Sequence, residues 1–366
     1  MSKPKISYIL DNFAEFQSGC FEVRINRPFI ELKDRGYDVD YKIMKSHPYT
    51  DLDERDIVMY SRYYGSDAFR SLWRHKSMGK KIVYDIDDDV WNIPKLNPAH
   101  ATYKEKKKHI VGMCNEADVV TVSTERLKNM VLQKTEQENV KIVPNGIPLD
   151  KFIKRPNKKG LRIGWAGGSN HYEDLDIILD VIIELQEDYD FEFIIQGLTG
   201  APWDADAYST NMKLQRGDLS ETELAFQTQK MEVYEKFRKI KNFRHVPFYP
   251  PEMFPSVIHG IDLDIGIIPI KGHVFDHSKS ILKYLEYSAV GTAAIASKKH
   301  PYKDDVLYTV KNKYTDWKEG LIELIENEEL RDNLAKQQYK QLFPKYSIKK
   351  TTDKLAKVYD ELGTEN

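Results

Sequence analysis

A chain of 366 residues is about twice the usual length of one domain, so two domains are expected. Hydrophobic residues at 41% and charged residues at 31% exclude a disordered or fibrous chain and allow a sizeable core. A formal net charge of −2 excludes a global field for polyanions, and two cysteines, Cys20 and Cys114, exclude a disulfide framework.

The opening Met1–Leu10 stretch runs straight into Asp11 and Asn12, without the apolar length or the small-residue cleavage site of a secretory leader. No apolar run approaches the roughly 18–20 residues that span a bilayer. The expected location is the reducing cytoplasm, with any membrane-linked substrate met peripherally at the inner surface, or the host cytoplasm if the chain is phage-encoded.

In chain order, short β-rich apolar runs alternate with amphipathic stretches, the pattern of a parallel sheet covered by helices. The first half predicts strands at Lys5–Leu10, Val39–Met44, Ile57–Ser61, Lys81–Asp85, Val119–Ser123 and Lys141–Pro144. Between them the spacing predicts helices over Arg24–Arg35, Ala68–Met78, Tyr103–Asn115 and Thr124–Gln133. Gly36 reads as the stop of the first of these. Polar, proline-bearing Pro148–Gly160 reads as a linker. The alternation then restarts with strands at Leu161–Ala166, Phe191–Gln196, Phe243–Val246, Ile265–Pro269 and Ala293–Ser297. Helices are predicted near Leu175–Gln186, Asp316–Glu326, Glu329–Gln341 and Lys349–Leu362. Residues 198–242 break the rhythm and read as an insertion for specificity or oligomer contact, helical from about Ser220. The expected organisation is a Rossmann-like domain over 1–150, a second over 151–347, and a C-terminal helix at 348–366 packing back towards the first.

Several pieces then resemble glycosyltransferase family 4 in order and spacing. They are Ser18-Gly19 with Arg24 and the helix ending at Arg35, Asp118–Thr124, the Pro144-Asn145-Gly146 junction, and Lys279–Tyr287 followed by Gly291 and Ala293–Ser297. A divergent bacterial or phage-type subgroup is marked by Tyr84–Trp91 and Gly164–His171. The resemblance implies α/β class, the GT-B fold with two Rossmann-like domains facing across a cleft, and sugar transfer with retention of configuration. It implies a nucleoside-diphosphate sugar as donor, UDP- or GDP-linked, with metal not essential.

A diphosphate asks for backbone N–H groups at a helix N-terminus and for cations. Gly19, Gly167, Gly168 and Ser169 suit close backbone approach, and Ser278, Lys279 and Ser280 stand at the start of the helix that carries Glu286. The other reading of the glycines is a plain tight turn. The resemblance implies that Glu286 holds the ribose diol, and a carboxylate can accept both its hydrogen bonds. The family pattern has a glutamate where this chain has Ser278, and the customary Arg and Lys are missing from Gly164–Asp174. His171 and Lys279 are the expected replacements.

Asp85, Asp87 and Asp88 end a strand, where α/β sheets place functional loops, and are the candidate catalytic carboxylates. The D-x-D spacing alone also admits a divalent metal, and a solvated acidic loop is the third reading. Tyr63, Tyr64, Arg70 and Arg74, with Trp73 and Lys104–Lys108 nearby, form the candidate acceptor surface, with a solvated helix face as the other reading. Phe248 and Tyr249 suit either base stacking or the core. Acceptors compatible with this set are a glycan, a lipid-linked sugar, or a modified base in DNA. A sugar-nucleotide epimerase or a non-catalytic nucleotide-sugar binder are the alternatives outside the class.

Overall fold

The computed structural model describes residues 3–10, 18–43, 52, 54–61, 65–97, 99–168, 171–198 and 220–364. Two six-stranded parallel sheets carry the fold, with strand order β2-β1-β3-β4-β5-β6 in the first half and β12-β11-β10-β7-β8-β9 in the second.

The first sheet comprises β1 (Ile6–Leu10), β2 (Val39–Ile43), β3 (Ile57–Ser61), β4 (Lys81–Ile86), β5 (Val119–Val122) and β6 (Val140–Ile142). Strands β1, β3 and β5 are buried at every residue, as a sheet covered on both faces requires. One face packs Val58, Tyr60, Ile82 and Tyr84 under the Ser66–Ser77, Ala99–Glu116 and Glu125–Lys134 helices. The other packs Ile6, Met59 and Val83 with Phe29 and Leu32.

The first helical segment begins earlier than its apolar spacing predicts. Ser18 caps it by accepting the Phe21 N–H at 3.0 Å, and the chain runs through Gly19–Phe21, a π turn at Glu22–Asn26 and the Arg27–Asp34 helix. Pro28 sits where the π turn passes into that helix, so the wider turn tolerates the missing donor there.

The second sheet comprises β7 (Arg162–Ala166), β8 (Glu192–Gln196), β9 (Phe243–Val246), β10 (Ile265–Ile268), β11 (Ala293–Ser297) and a two-residue edge strand, β12 (Thr309–Val310). Neither β12 nor the Phe254–Ile261 helix is among the predicted elements; both are too short for a periodicity to register. Residues 199–219 lie outside the described part. The remainder of the supposed insertion is the crossover helix that joins β8 to β9. It is Glu221–Phe237, opened by a Ser220–Glu223 capping box and packed through Val233, Tyr234 and Phe237 on the Tyr172–Asp188 helix.

The polar segment 148–160 is held rather than loose. Asp262 accepts the Asn157 and Lys158 N–H groups at 2.9 and 2.8 Å, and Arg155 meets Asp264 at 2.7 Å. The Ile348–Thr364 helix lies on the first half: Leu355, Tyr359 and Leu362 share a cluster with Ile6 and Phe29, and Arg35 meets Asp353 at 2.8 Å. At its root Ile147 donates to the Tyr346 carbonyl and accepts from the Ile348 N–H, so the two crossings between the halves touch at one bridge. Gly146 is required there, because a Cβ would come 2.1 Å from Thr351 Oγ1.

Candidate functional site

In open parallel sheets ligands bind beyond the C-terminal strand ends, where the strand order reverses. In the second sheet that point lies between β7 and β10. It presents Ala166, Gly167 and Gly168, with the Leu282–Val290 helix alongside. Gly167 donates to the Gln196 carbonyl at 3.1 Å. Gly197, at φ +88°, lets β8 pass so close that a Cβ there would stand 2.1 Å from the Gly167 carbonyl oxygen. Both glycines therefore serve the close packing of two strand ends as well as any ligand.

The helix starts at Leu282, so Glu286 is one turn into it rather than two. Its side chain is 9% exposed and its carboxylate accepts no hydrogen bond among the described residues. Burial pushes Glu286 up from the ordinary carboxylate range, while Arg27 and Lys283 pull it back. Arg27 comes from the first half of the chain, so this field crosses between the two sheets.

Lys279 and Ser280 line the cleft between the halves, together with Thr124, Arg126 and Asn145 from the first. Lys279 also lines a neighbouring recess formed by Pro94, Leu96 and Asn97 opposite Glu173, Asp174 and His273. His171 is bonded to Asp174 at 2.8 Å. Burial first, and then the Lys279 and Lys283 charges, push the imidazole below its ordinary range, against the pull of Asp174. Ser278 is buried; its carbonyl, not its hydroxyl, meets the first half by accepting from Thr124 Oγ1 at 2.8 Å.

The aspartate run divides by environment. Asp85 is sealed in the first half, where Arg24 binds it through Nε at 3.1 Å and Nη2 at 2.5 Å and Thr121 Oγ1 donates at 2.6 Å. A carboxylate 0% exposed and held by three donors is committed to the packing of the first half. Asp89 likewise closes its own turn, accepting from the Trp91 and Asn92 backbone. Asp87 and Asp88 remain partly exposed beyond the strand end. Among the described residues no three His, Cys, Asp or Glu side chains converge as metal ligands.

Arg70 and Arg74 are exposed along one side of the Ser66–Ser77 helix beside Trp73, which is 50% exposed. Phe248 and Tyr249 are exposed beyond β9, which removes the core reading of both. Tyr63, Tyr64 and Ser169 lie outside the described residues. Gly19 is exposed at its helix start.

Two groups escaped the sequence reading. Asn145, seen only as part of a junction motif, accepts from Arg24 at 3.0 Å and donates to Ser280 Oγ at 2.8 Å, tying the buried ion pair of one half to the helix start of the other. Lys283 donates to the Ala166 carbonyl and stands 4.1 Å from the Trp165 ring centroid. Its i, i+3 relation to Glu286 was the available signal.

No protein-family model matches the chain, and no curated protein sequence matches it. Solved structures do. Sucrose-phosphate synthase from Thermosynechococcus elongatus aligns over 100% of both chains with a TM-score of 0.70 at 10% identity. HepE of Anabaena, in complex with UDP-glucose, aligns over 98% of this chain and 100% of that one, with a TM-score of 0.64 at 12% identity. An alpha-glucosyltransferase in complex with UDP and a 13-mer DNA containing an HMU base aligns over 99% and 100%, with a TM-score of 0.66 at 12% identity. The chain has the GT-B architecture. No helix among the described residues is long and apolar enough to cross a membrane.

Proposed function

We propose that the chain is a glycosyltransferase that moves a sugar from a nucleoside-diphosphate donor to an acceptor hydroxyl, with retention of configuration. The observation that carries this reading is Glu286: a carboxylate 9% exposed that accepts no hydrogen bond among the described residues, one turn from a helix start, beside a glycine turn at the switch point of the second sheet. Such a group is costly to keep without a partner, and a ribose diol supplies two donors. The second half is then the donor domain and the first the acceptor domain.

The helix N-terminus faces the departing diphosphate, with Lys279 at the rim of the same cleft, and Phe248 offers a face for the base. Asp87 and Asp88 stand on the acceptor side. Catalysis here is positioning plus electrostatic stabilisation of the charge that develops on the leaving group. UDP-sugars are the first donors to test, because similar structures hold UDP or UDP-glucose.

A glycan or lipid-linked sugar, met from the membrane surface, is the first acceptor class. The exposed Arg70, Trp73 and Arg74 favour a polyanion, so a hydroxylated base in DNA is the second. Transfer of labelled sugar to DNA carrying an HMU base, set against lipid-linked and free glycan acceptors, separates the two.

The donor reading is tested by thermal shift with UDP-, GDP-, ADP- and CMP-sugars, with Mg²⁺ or EDTA. A native-state ligand at about a hundred times its Kd stabilises by about 2.7 kcal/mol. One nucleotide sugar is expected to raise Tm, and Glu286→Ala to abolish the rise. No shift with any donor at millimolar concentration overturns the reading.

A further inference from the structure

We propose that Lys283 is the cation that meets the donor's diphosphate in this chain, acting from the helix side of the site instead of from the strand-end turn. The inference rests on the donor reading above and deepens it.

The turn itself brings no positive charge: from Gly164 to Asp174 there is neither lysine nor arginine. The Lys283 ammonium fills that place from across the gap. It donates to the carbonyl of Ala166, the last residue of β7, and sits over the Trp165 indole with its nitrogen 4.1 Å from the ring centroid. A Cβ on Gly167 would come 2.4 Å from Nζ, which fixes the ammonium directly against the backbone of the glycine turn. An ammonium has three donors, and one is spent on Ala166; no ion pair joins it to Glu286 one turn further on. The cation is thus held in one geometry by an aromatic face and a carbonyl, with donors left for an anion arriving at the helix start. Lys279, the other lysine at this end, is drawn aside by Asp276 at 3.4 Å and lies over the Phe275 ring.

The charged and titratable groups around Lys283 are Glu286 on its own helix, Lys279 on the preceding loop, and Asp174 and His171 from the facing helix. Burial, then Lys279, pushes the ammonium down from the ordinary lysine range, while Glu286 and Asp174 pull it up. A bound diphosphate favours the charged form. Affinity for diphosphates is therefore full below the free protein's lysine titration and falls as pH rises through it, earlier than for an ordinary lysine.

The test is calorimetric binding of UDP and GDP, each beside its nucleoside, to the full chain between pH 6.5 and 9.5. Lys283→Met is expected to weaken the bound diphosphate by roughly 10- to 100-fold, the worth of a hydrogen bond to a charged group, and to change nucleoside affinity by less than about threefold. Diphosphate affinity should fall more steeply towards pH 9.5 in the wild type than in Lys283→Arg, whose charge does not titrate. If Lys283 only braces the fold, diphosphate and nucleoside weaken together in Lys283→Met, or neither does, and the proposal is overturned. A flat wild-type profile overturns it without any variant. If the wild type binds neither diphosphate, the proposal fails for UDP and GDP, and the thermal-shift screen with the four nucleotide sugars shows separately whether the donor reading fails with it.

Discussion

Replacing Arg24 by methionine tests the inner frame of the site. The Arg24 side chain is 4% exposed and that of Asp85 1%. Arg24 also donates to the Val143 carbonyl and to Asn145 Oδ1. Methionine keeps much of the volume but leaves Asp85 with only the Thr121 hydroxyl and strands a carbonyl at the end of β6. Breaking a buried pair from one side costs about 3–5 kcal/mol, because the surviving charge stays desolvated. For a domain of this size each kcal/mol moves Tm by about 2–4 °C, so a drop of roughly 10 °C is expected in differential scanning calorimetry. The double replacement Arg24→Met with Asp85→Leu removes both charges and should recover most of the loss. A loss under about 1 kcal/mol in the single variant, or a double variant no better than the single, would refute the reasoning.

Three further outcomes follow from other positions. Burial holds the folded Glu286 above its unfolded range, so its charge costs the folded state stability above that range, and the cost vanishes as pH falls to the ordinary glutamate value. Glu286→Gln should therefore melt higher than wild type near pH 8, by roughly 1 kcal/mol or more, with the gap closing by about pH 5; equal melting curves at both pH values would contradict this. Asp262, at φ +56°, joins two backbone N–H groups with Arg155 and Arg162. Asp262→Ala should cost about 3 kcal/mol and speed tryptic cleavage at Lys158 and Lys159, and unchanged cleavage would show that the 148–160 segment is held by other means. Gly146→Ala should cost about 1–3 kcal/mol of stability, read by urea titration, since its Cβ would also meet Ile348 Cα at 2.9 Å.

The alternation of short β-rich runs with amphipathic stretches was legible throughout. Ile57–Ser61 and Ala293–Ser297 are the same strands by pattern and by structure, because strands buried on both faces leave a mostly apolar run; the half-buried edge strand Phe243–Val246 also has the same bounds in both. Helix starts were less legible. The first helical segment opens at Gly19, where a serine cap and a π turn outrank the apolar spacing that points to Arg24. Within Asp85–Asp89, composition could not separate the sealed carboxylates, Asp85 and Asp89, from the accessible Asp87 and Asp88. Asp85 is sealed by Arg24 and Thr121, 61 and 36 residues away, whereas Asp89 lies past the strand and closes its own turn with Trp91 and Asn92.

By itself, then, the sequence determined the α/β class, the repetition of one sheet architecture after another, and the positions of the glycine turn and the Glu286 helix, because these depend on local periodicity and backbone freedom. Only the tertiary structure decided which charges meet. Asn145 finding Ser280, Lys283 reaching Ala166 and Arg27 acting on Glu286 are contacts between distant segments. Their strength depends on burial and separation, and neither is written into any single stretch of chain.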